Sequence, residues 1–203
     1  MPSTRCLLVV AVATAAALPA AGCGSSSSHS TAAAPPTAAS GVALSADARS
    51  ASTGDIPDNQ VFLTFDDPRA GWSMKYPEGW TQNGVGSSVT FRDKNNLVHV
   101  SITRGHAPTV VSVSAQLRAL RRTSRSLAFT QPRQVSVGGA HAIKVVYSTK
   151  SAPSQITGKR VMLVVDRYVL AGRGKVAVVD LGTPKGVDNV DAYRLMIDSF
   201  RWR

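Results

Sequence analysis

Two neighbouring segments, Arg160 to Leu170 and Val176 to Leu181, restrict the fold more than anything else in the chain. Both are rich in β-branched residues, and Ala171-Gly172-Arg173-Gly174-Lys175 between them has the composition of a turn, so the pair reads as a hairpin. In the first segment Val161, Leu163 and Val165 lie on one face, with Met162 and Val164 on the other. A strand that is apolar on both sides needs a sheet covered on both faces.

The rest of the domain supplies strands for such a sheet and helices to cover it. Val61-Phe62-Leu63-Thr64-Phe65 is β-branched and aromatic, and it breaks at Asp66-Asp67-Pro68-Arg69-Ala70-Gly71. Trp72, Met74 and Tyr76 alternate as a strand that ends at Tyr76-Pro77-Glu78-Gly79, expected to be a type I turn with Pro in its second place. Ser88 to Arg92, Leu97 to Thr103, Phe129 to Val137 and His141 to Thr149 are the further strands, the last two joined by the tight turn Gly138-Gly139. After Pro108, Val113, Leu117, Leu120 and Leu127 form one stripe at helical period, with Arg118, Arg121, Arg122 and Arg125 on the other side. Val190, Tyr193, Ile197 and Phe200, widened by Met196, predict a second amphipathic helix over Asp188 to Phe200, and Asp188 and Asp191 suit its start. This order predicts an α+β domain: an antiparallel sheet of about six strands with helices packed on both faces, an α-β-α sandwich. Trp80, Leu117 and Phe200 are expected in its core.

Upstream, Arg5 precedes an apolar run from Cys6 to Leu18, and Leu18-Pro19-Ala20-Ala21-Gly22-Cys23 follows. A positive start, a short apolar region and small residues at the cut make a secretory signal. The run is well short of the ~20 residues that span a bilayer as a helix. Ala20-Ala21-Gly22-Cys23 resembles the lipobox of bacterial lipoproteins, with Ala20 where that family usually has Leu. The resemblance implies that the Cys23 thiol receives a diacylglyceryl group before cleavage in front of it. Ordinary cleavage also suits Ala20 and Gly22, but it would leave Cys23 unpaired outside the cell, since the second cysteine, Cys6, departs with the signal. The expected organisation is therefore a lipoprotein signal peptide at 1–22, a lipid anchor and Ser/Ala/Thr/Pro-rich flexible linker at 23–60, and a globular domain at 61–203. The linker composition is too poor in apolar residues to offset its ordering entropy, and its Ser, Thr and Pro residues suit an O-glycosylated stalk.

Charge bounds the partners. The chain carries 23 Lys and Arg against 12 Asp and Glu, a formal net charge of +11, and one less once Arg5 leaves with the signal. Such a balance favours anionic lipid or wall polymer, and export removes nucleic acid from the expected partners. The arginines of the first helix are the candidate surface for this contact.

Gly71-Trp72-Ser73-Met74-Lys75-Tyr76-Pro77-Glu78-Gly79-Trp80 resembles the opening strand and turn of PsbP-like domains, and Tyr193-Arg194-Leu195-Met196-Ile197-Asp198-Ser199-Phe200 resembles their closing helix. Similar domains occur as lipoproteins of high-GC Gram-positive bacteria, beside the PsbP proteins of photosystem II and the Mog-type Ran-binding proteins. The resemblance spans Val61 to Arg203 and implies a non-enzymatic binding or accessory module of the cell envelope. Its motifs are packing residues and a turn, so it assigns no functional residue.

Catalytic motifs are sparse. Gly172-Arg173-Gly174-Lys175-Val176 lacks the distant Gly and the Ser or Thr of a phosphate-binding loop, and no Gly-x-Ser-x-Gly elbow is present. An envelope hydrolase would require His99 or His106 to meet a Ser and an Asp in a cleft. His141 shares a strand face with Ile143, Val145 and Tyr147, which makes it either a core residue or the wall of a small ligand pocket. His29 reads as a solvated linker residue, and Asp66 and Asp67 lack the alternating oxygen ligands of a calcium loop. The expectation is a non-enzymatic protein with no cofactor and no metal, anchored through Cys23 on the extracytoplasmic side of the cell membrane, with an envelope protein complex among its expected partners. The alternatives are a hydrolase, a small-ligand carrier and a mechanical spacer. A solute-receiving lipoprotein ordinarily needs two lobes, which roughly 140 residues hardly allow.

Overall fold

The computed structural model describes residues 54–124, 127–154 and 158–203. Numbered in chain order, the strands are β1 (Phe62–Asp67), β2 (Trp72–Pro77), β3 (Thr81–Val85), β4 (Ser88–Asp93), β5 (Asn96–Arg104), β6 (Ala128–Phe129), β7 (Arg133–Val137), β8 (Ala140–Lys150), β9 (Met162–Gly172), β10 (Lys175–Pro184) and β11 (Arg201–Trp202). The helices are α1 (Val110–Thr123) and α2 (Val190–Asp198).

An eight-stranded antiparallel sheet runs in the order β3-β4-β5-β10-β9-β8-β6, with β7 also pairing β8. The hairpin that reads as doubly apolar supplies its centre. Arg173 and Gly174 make the turn with φ of 52° and 71°, the positive values that two-residue hairpin turns favour. A second sheet, β1-β2-β11, joins the opening strands to the last one, with Ser73 opposite Arg201 and Trp72 opposite Trp202.

Two apolar layers follow from strand alternation. On one face of the large sheet, Val98, Val100, Ala177, Val179 and Leu170 join Trp72 and Met74 of β2 and Tyr193, Met196, Ile197 and Phe200 at the C-terminal end in one buried cluster. On the other face Val113 and Leu117 of α1 pack with Ile143, Val145 and Val169. The expectation of about six strands between two helical layers is therefore corrected: the molecule is dominated by sheet, and much of the cover on the first face is the three-stranded sheet. Gly172 allows the two sheets to approach, because a Cβ there would collide with the Trp202 ring.

Local differences from the sequence reading have physical causes. The turn after β2 is closed by the Trp80 N–H donating to the Pro77 carbonyl at 3.4 Å. Pro77 is thus first in the turn and Gly79 third, at φ 85°, the geometry of a type II turn instead of type I. Phe129 to Val137 is two strands, because Pro132 cannot donate to a ladder and Thr130 bonds to Val146 in place of regular pairing. α1 begins with a capping box in which Thr109 and Ser112 exchange side-chain and backbone bonds. It stops at Thr123, so Leu127 is buried outside the helix and Leu120 stays 45% exposed.

Candidate functional site

Register places a row of polar side chains across the α1-side face of the large sheet. Asp180 of β10 lies opposite Arg167 of β9 and opposite His99 of β5. Arg167 holds Asp180 through two bonds of 2.7 Å, Nε to Oδ1 and Nη2 to Oδ2. Tyr147 lies beneath the guanidinium, 5.1 Å from ring centre to Cζ. Burial opposes the charge of Arg167, and Asp180 more than offsets it, so the Arg167 pKa is raised. Burial also raises the Tyr147 pKa, with the Asp180 charge acting in the same direction. At the far end His99 Nε2 lies 3.3 Å from the Ser88 hydroxyl. Burial holds the His99 imidazole below its ordinary pKa, and Arg167 and Arg92 add to this while Asp180 opposes it.

Ser88 therefore lies against His99 and Asp180 stands opposite His99 across the strands, the residue types of an acyl-transfer triad, but the electrostatics differ from those of a triad. A triad aspartate spends its charge on the imidazole, orienting it and stabilising the imidazolium. Asp180 gives an oxygen to each of two guanidinium nitrogens, and its charge is matched at Arg167.

A second feature is a cleft of about 400 Å3 lined by Arg69, Ala70, Gly86, Ser87, Ile102, Thr103, Arg104 and Lys175. The β1–β2 loop, the β3–β4 turn, the end of β5 and the start of β10 form its walls. Asp67 ties the first two together: its carboxylate accepts from the Ala70 and Gly86 backbone N–H groups, each at 2.8 Å. Donation from the Ala70 N–H holds its pKa below the ordinary carboxylate value; burial opposes this, and the Gly86 N–H and Arg69 add to the lowering. The Trp72 indole adds a bond to the Gly86 carbonyl at 3.0 Å, and the Lys175 ammonium donates to the Ala70 carbonyl at 2.7 Å.

The residues singled out by the sequence are dispersed. Arg118, Arg121 and Arg122 stand exposed on α1, which carries no acidic residue in its first turn. Cys23, His29 and Arg125 lie outside the described residues. His141 is exposed near the start of β8, so its place on the Ile143 face does not bury it. His106 is exposed in the segment before α1. Among the described residues no group of three or more His, Cys, Asp or Glu could hold a metal, and no helix is long and apolar enough to cross a membrane. The Arg167–Asp180 pair and the basic cleft were not read from the sequence. A signal for the pair was present: Asp166-Arg167 on β9 and Asp180 on β10 each interrupt an apolar run, and the register that sets Gly172 opposite Lys175 also sets Arg167 opposite Asp180. The cleft joins residues more than a hundred positions apart and left no such trace.

No protein-family model matches the chain, and no curated protein matches it by sequence. Solved structures do match. Cyanobacterial PsbP (CyanoP) from Synechocystis aligns at 18% identity over 74% of this chain and 98% of its own, with a TM-score of 0.54. The Ran-binding protein Mog1p of Saccharomyces cerevisiae aligns at 8% identity over 71% and 96%, with a TM-score of 0.47. LpqN of Mycobacterium tuberculosis, a protein involved in cell envelope biogenesis, aligns at 14% identity over 70% and 84%, with a TM-score of 0.37. The domain has a PsbP-like fold. This rests on the first of these likenesses, which at such identity speaks of fold alone.

Proposed function

We propose that the protein is a lipid-anchored extracytoplasmic module that acts by binding, as an accessory of the cell envelope, and not by turnover. The observation that carries this reading is the bidentate hold of Arg167 on Asp180, which spends the charge a Ser-His-Asp mechanism would use, while the arginines of α1 stand in solvent. Its partners are the membrane lipid reached through acylated Cys23, anionic lipid or wall polymer at the α1 face, and an envelope protein complex. Near an anionic bilayer each Arg contributes ~1 kcal/mol, so three give ~3 kcal/mol, which alone is millimolar binding. Were residues 23–60 to act as the linker their composition leads one to expect, they would supply an effective concentration of the same order, so an anchored domain would dock where a free one drifts.

The test is flotation of the Cys23→Ser chain with phosphatidylglycerol vesicles at about 10 mM lipid, where binding of millimolar strength holds a large fraction of even an untethered protein. Binding is expected at low salt, lost at high salt because the charges are exposed, and lost when Arg118→Glu, Arg121→Glu and Arg122→Glu are combined. Equal flotation of the two proteins rejects the docking face. The 3.3 Å approach of Ser88 to His99 favours one second reading, an envelope hydrolase with Ser88 as nucleophile. A fluorophosphonate that labels Ser88, and fails to label the His99→Ala protein, would establish it in place of the binding role.

A further inference from the structure

We infer that the cleft bounded by Arg69, Arg104 and Lys175 is a binding site for a phosphate-class anion. Three cations line it and no carboxylate does. The two acids of the adjoining loop are turned to other partners: Asp66 pairs with Arg203 at 3.0 Å, and Asp67 is occupied by the Ala70 and Gly86 N–H groups. A guanidinium presents a planar fork that matches tetrahedral oxyanions. An ammonium has three donors, and Lys175 commits one to the Ala70 carbonyl, leaving two for a ligand. Ser87 and Thr103 complete the lining without adding charge.

The walls are fixed before any ligand arrives. Asp67 and the Trp72 indole both grip Gly86, and the Ile102 N–H donates to the Ser87 carbonyl at 2.7 Å. The volume falls within the ~300–1,000 Å3 of small-ligand sites, which suits a phosphate carrying a small group. A phospholipid headgroup and a soluble phosphate ester share this chemistry. The inference rests on the binding reading above but fails separately from it, because vesicle docking through α1 is measured without altering the cleft.

The experiment titrates the full chain, with Cys23→Ser so that no acyl group carries it to lipid, against inorganic pyrophosphate and separately against monomeric dihexanoyl phosphatidylglycerol. Tryptophan fluorescence and calorimetry follow the titration, Trp72 being bonded to the cleft wall. Saturable binding is expected, weakened by about tenfold or more when Arg69→Ala and Arg104→Ala are combined, the loss of charged hydrogen bonds. Arg133→Ala with Lys185→Ala removes the same charge at two exposed positions outside both the cleft and the α1 face and is expected to leave it unchanged. Tighter binding of the lipid assigns the headgroup as the source, and tighter binding of pyrophosphate assigns a soluble ester. Equal weakening by the two double variants, or no saturable binding of either compound, overturns the site.

Discussion

Removing Asp180 would leave the Arg167 guanidinium without its partner on a sheet face where the aspartate side chain is only 8% and the arginine 18% exposed. Breaking such a pair on one side costs about 3–5 kcal/mol, more than replacing both members by apolar residues. Asp180→Ala is therefore expected to lower the denaturation midpoint strongly, and Arg167→Met with Asp180→Leu to recover much of the loss. A neutral single variant, measured by urea unfolding, would show that the pair does not carry the sheet face. His99 gives a pH signature. Its pKa is held below the ordinary 6.5 by burial, so as pH falls the unfolded chain takes up the proton first. Stability should fall as pH drops through about 6.5 and level off below the folded pKa. His99→Gln should flatten that part of the profile, and an unchanged slope would place its origin elsewhere. This row was legible in part. Charged residues inside apolar strands demand partners, and the hairpin register names them. That Ser88 would reach His99 depends on the register of β4 against β5, which the pattern of the two strands does not disclose.

Among the elements, those with a period of their own were readable and those built by their neighbours were not. α2 shows this: Tyr193, Met196 and Ile197 are buried as the helical stripe predicts, and Phe200 beyond it stacks on Trp72 with ring centres 6.0 Å apart. Truncating a buried aromatic costs about 3–5 kcal/mol. Phe200→Ala should thus lower the melting temperature by many degrees, and an unchanged value would put the C-terminal end outside the core. Thr109→Ala should cost about 1 kcal/mol by removing the α1 cap, visible as a smaller shift of the same kind. β3 was missed because Thr81-Gln82-Asn83-Gly84-Val85 is exposed throughout. It has no apolar face, and its pairing with β4 resides in backbone groups that every sequence possesses. β11 is two residues long, too short for any period to show.

At the scale of the molecule, the α+β class and the antiparallel arrangement could be read from the order of elements, while the division into two sheets could not. β2 pairs with β11 across more than a hundred residues, and β5 pairs with β10 across a gap filled by α1 and four strands. Contacts so distant in sequence are decided by global packing, and local pattern has no access to them. The basic cleft belongs to the same category, since it exists only where the first loop meets the start of β10. By contrast the proposed anchor rests on one short stretch, and it would set where every other surface operates. The account requires that Cys23 be acylated and that the domain work from the membrane. Mass spectrometry of the N-terminal peptide from the native membrane fraction, beside fractionation of wild type and Cys23→Ser, tests this most directly. The account predicts an acyl-bearing Cys23 in the wild type and release of the Cys23→Ser protein into the soluble fraction; an unacylated Cys23, or equal membrane retention of both proteins, would contradict it.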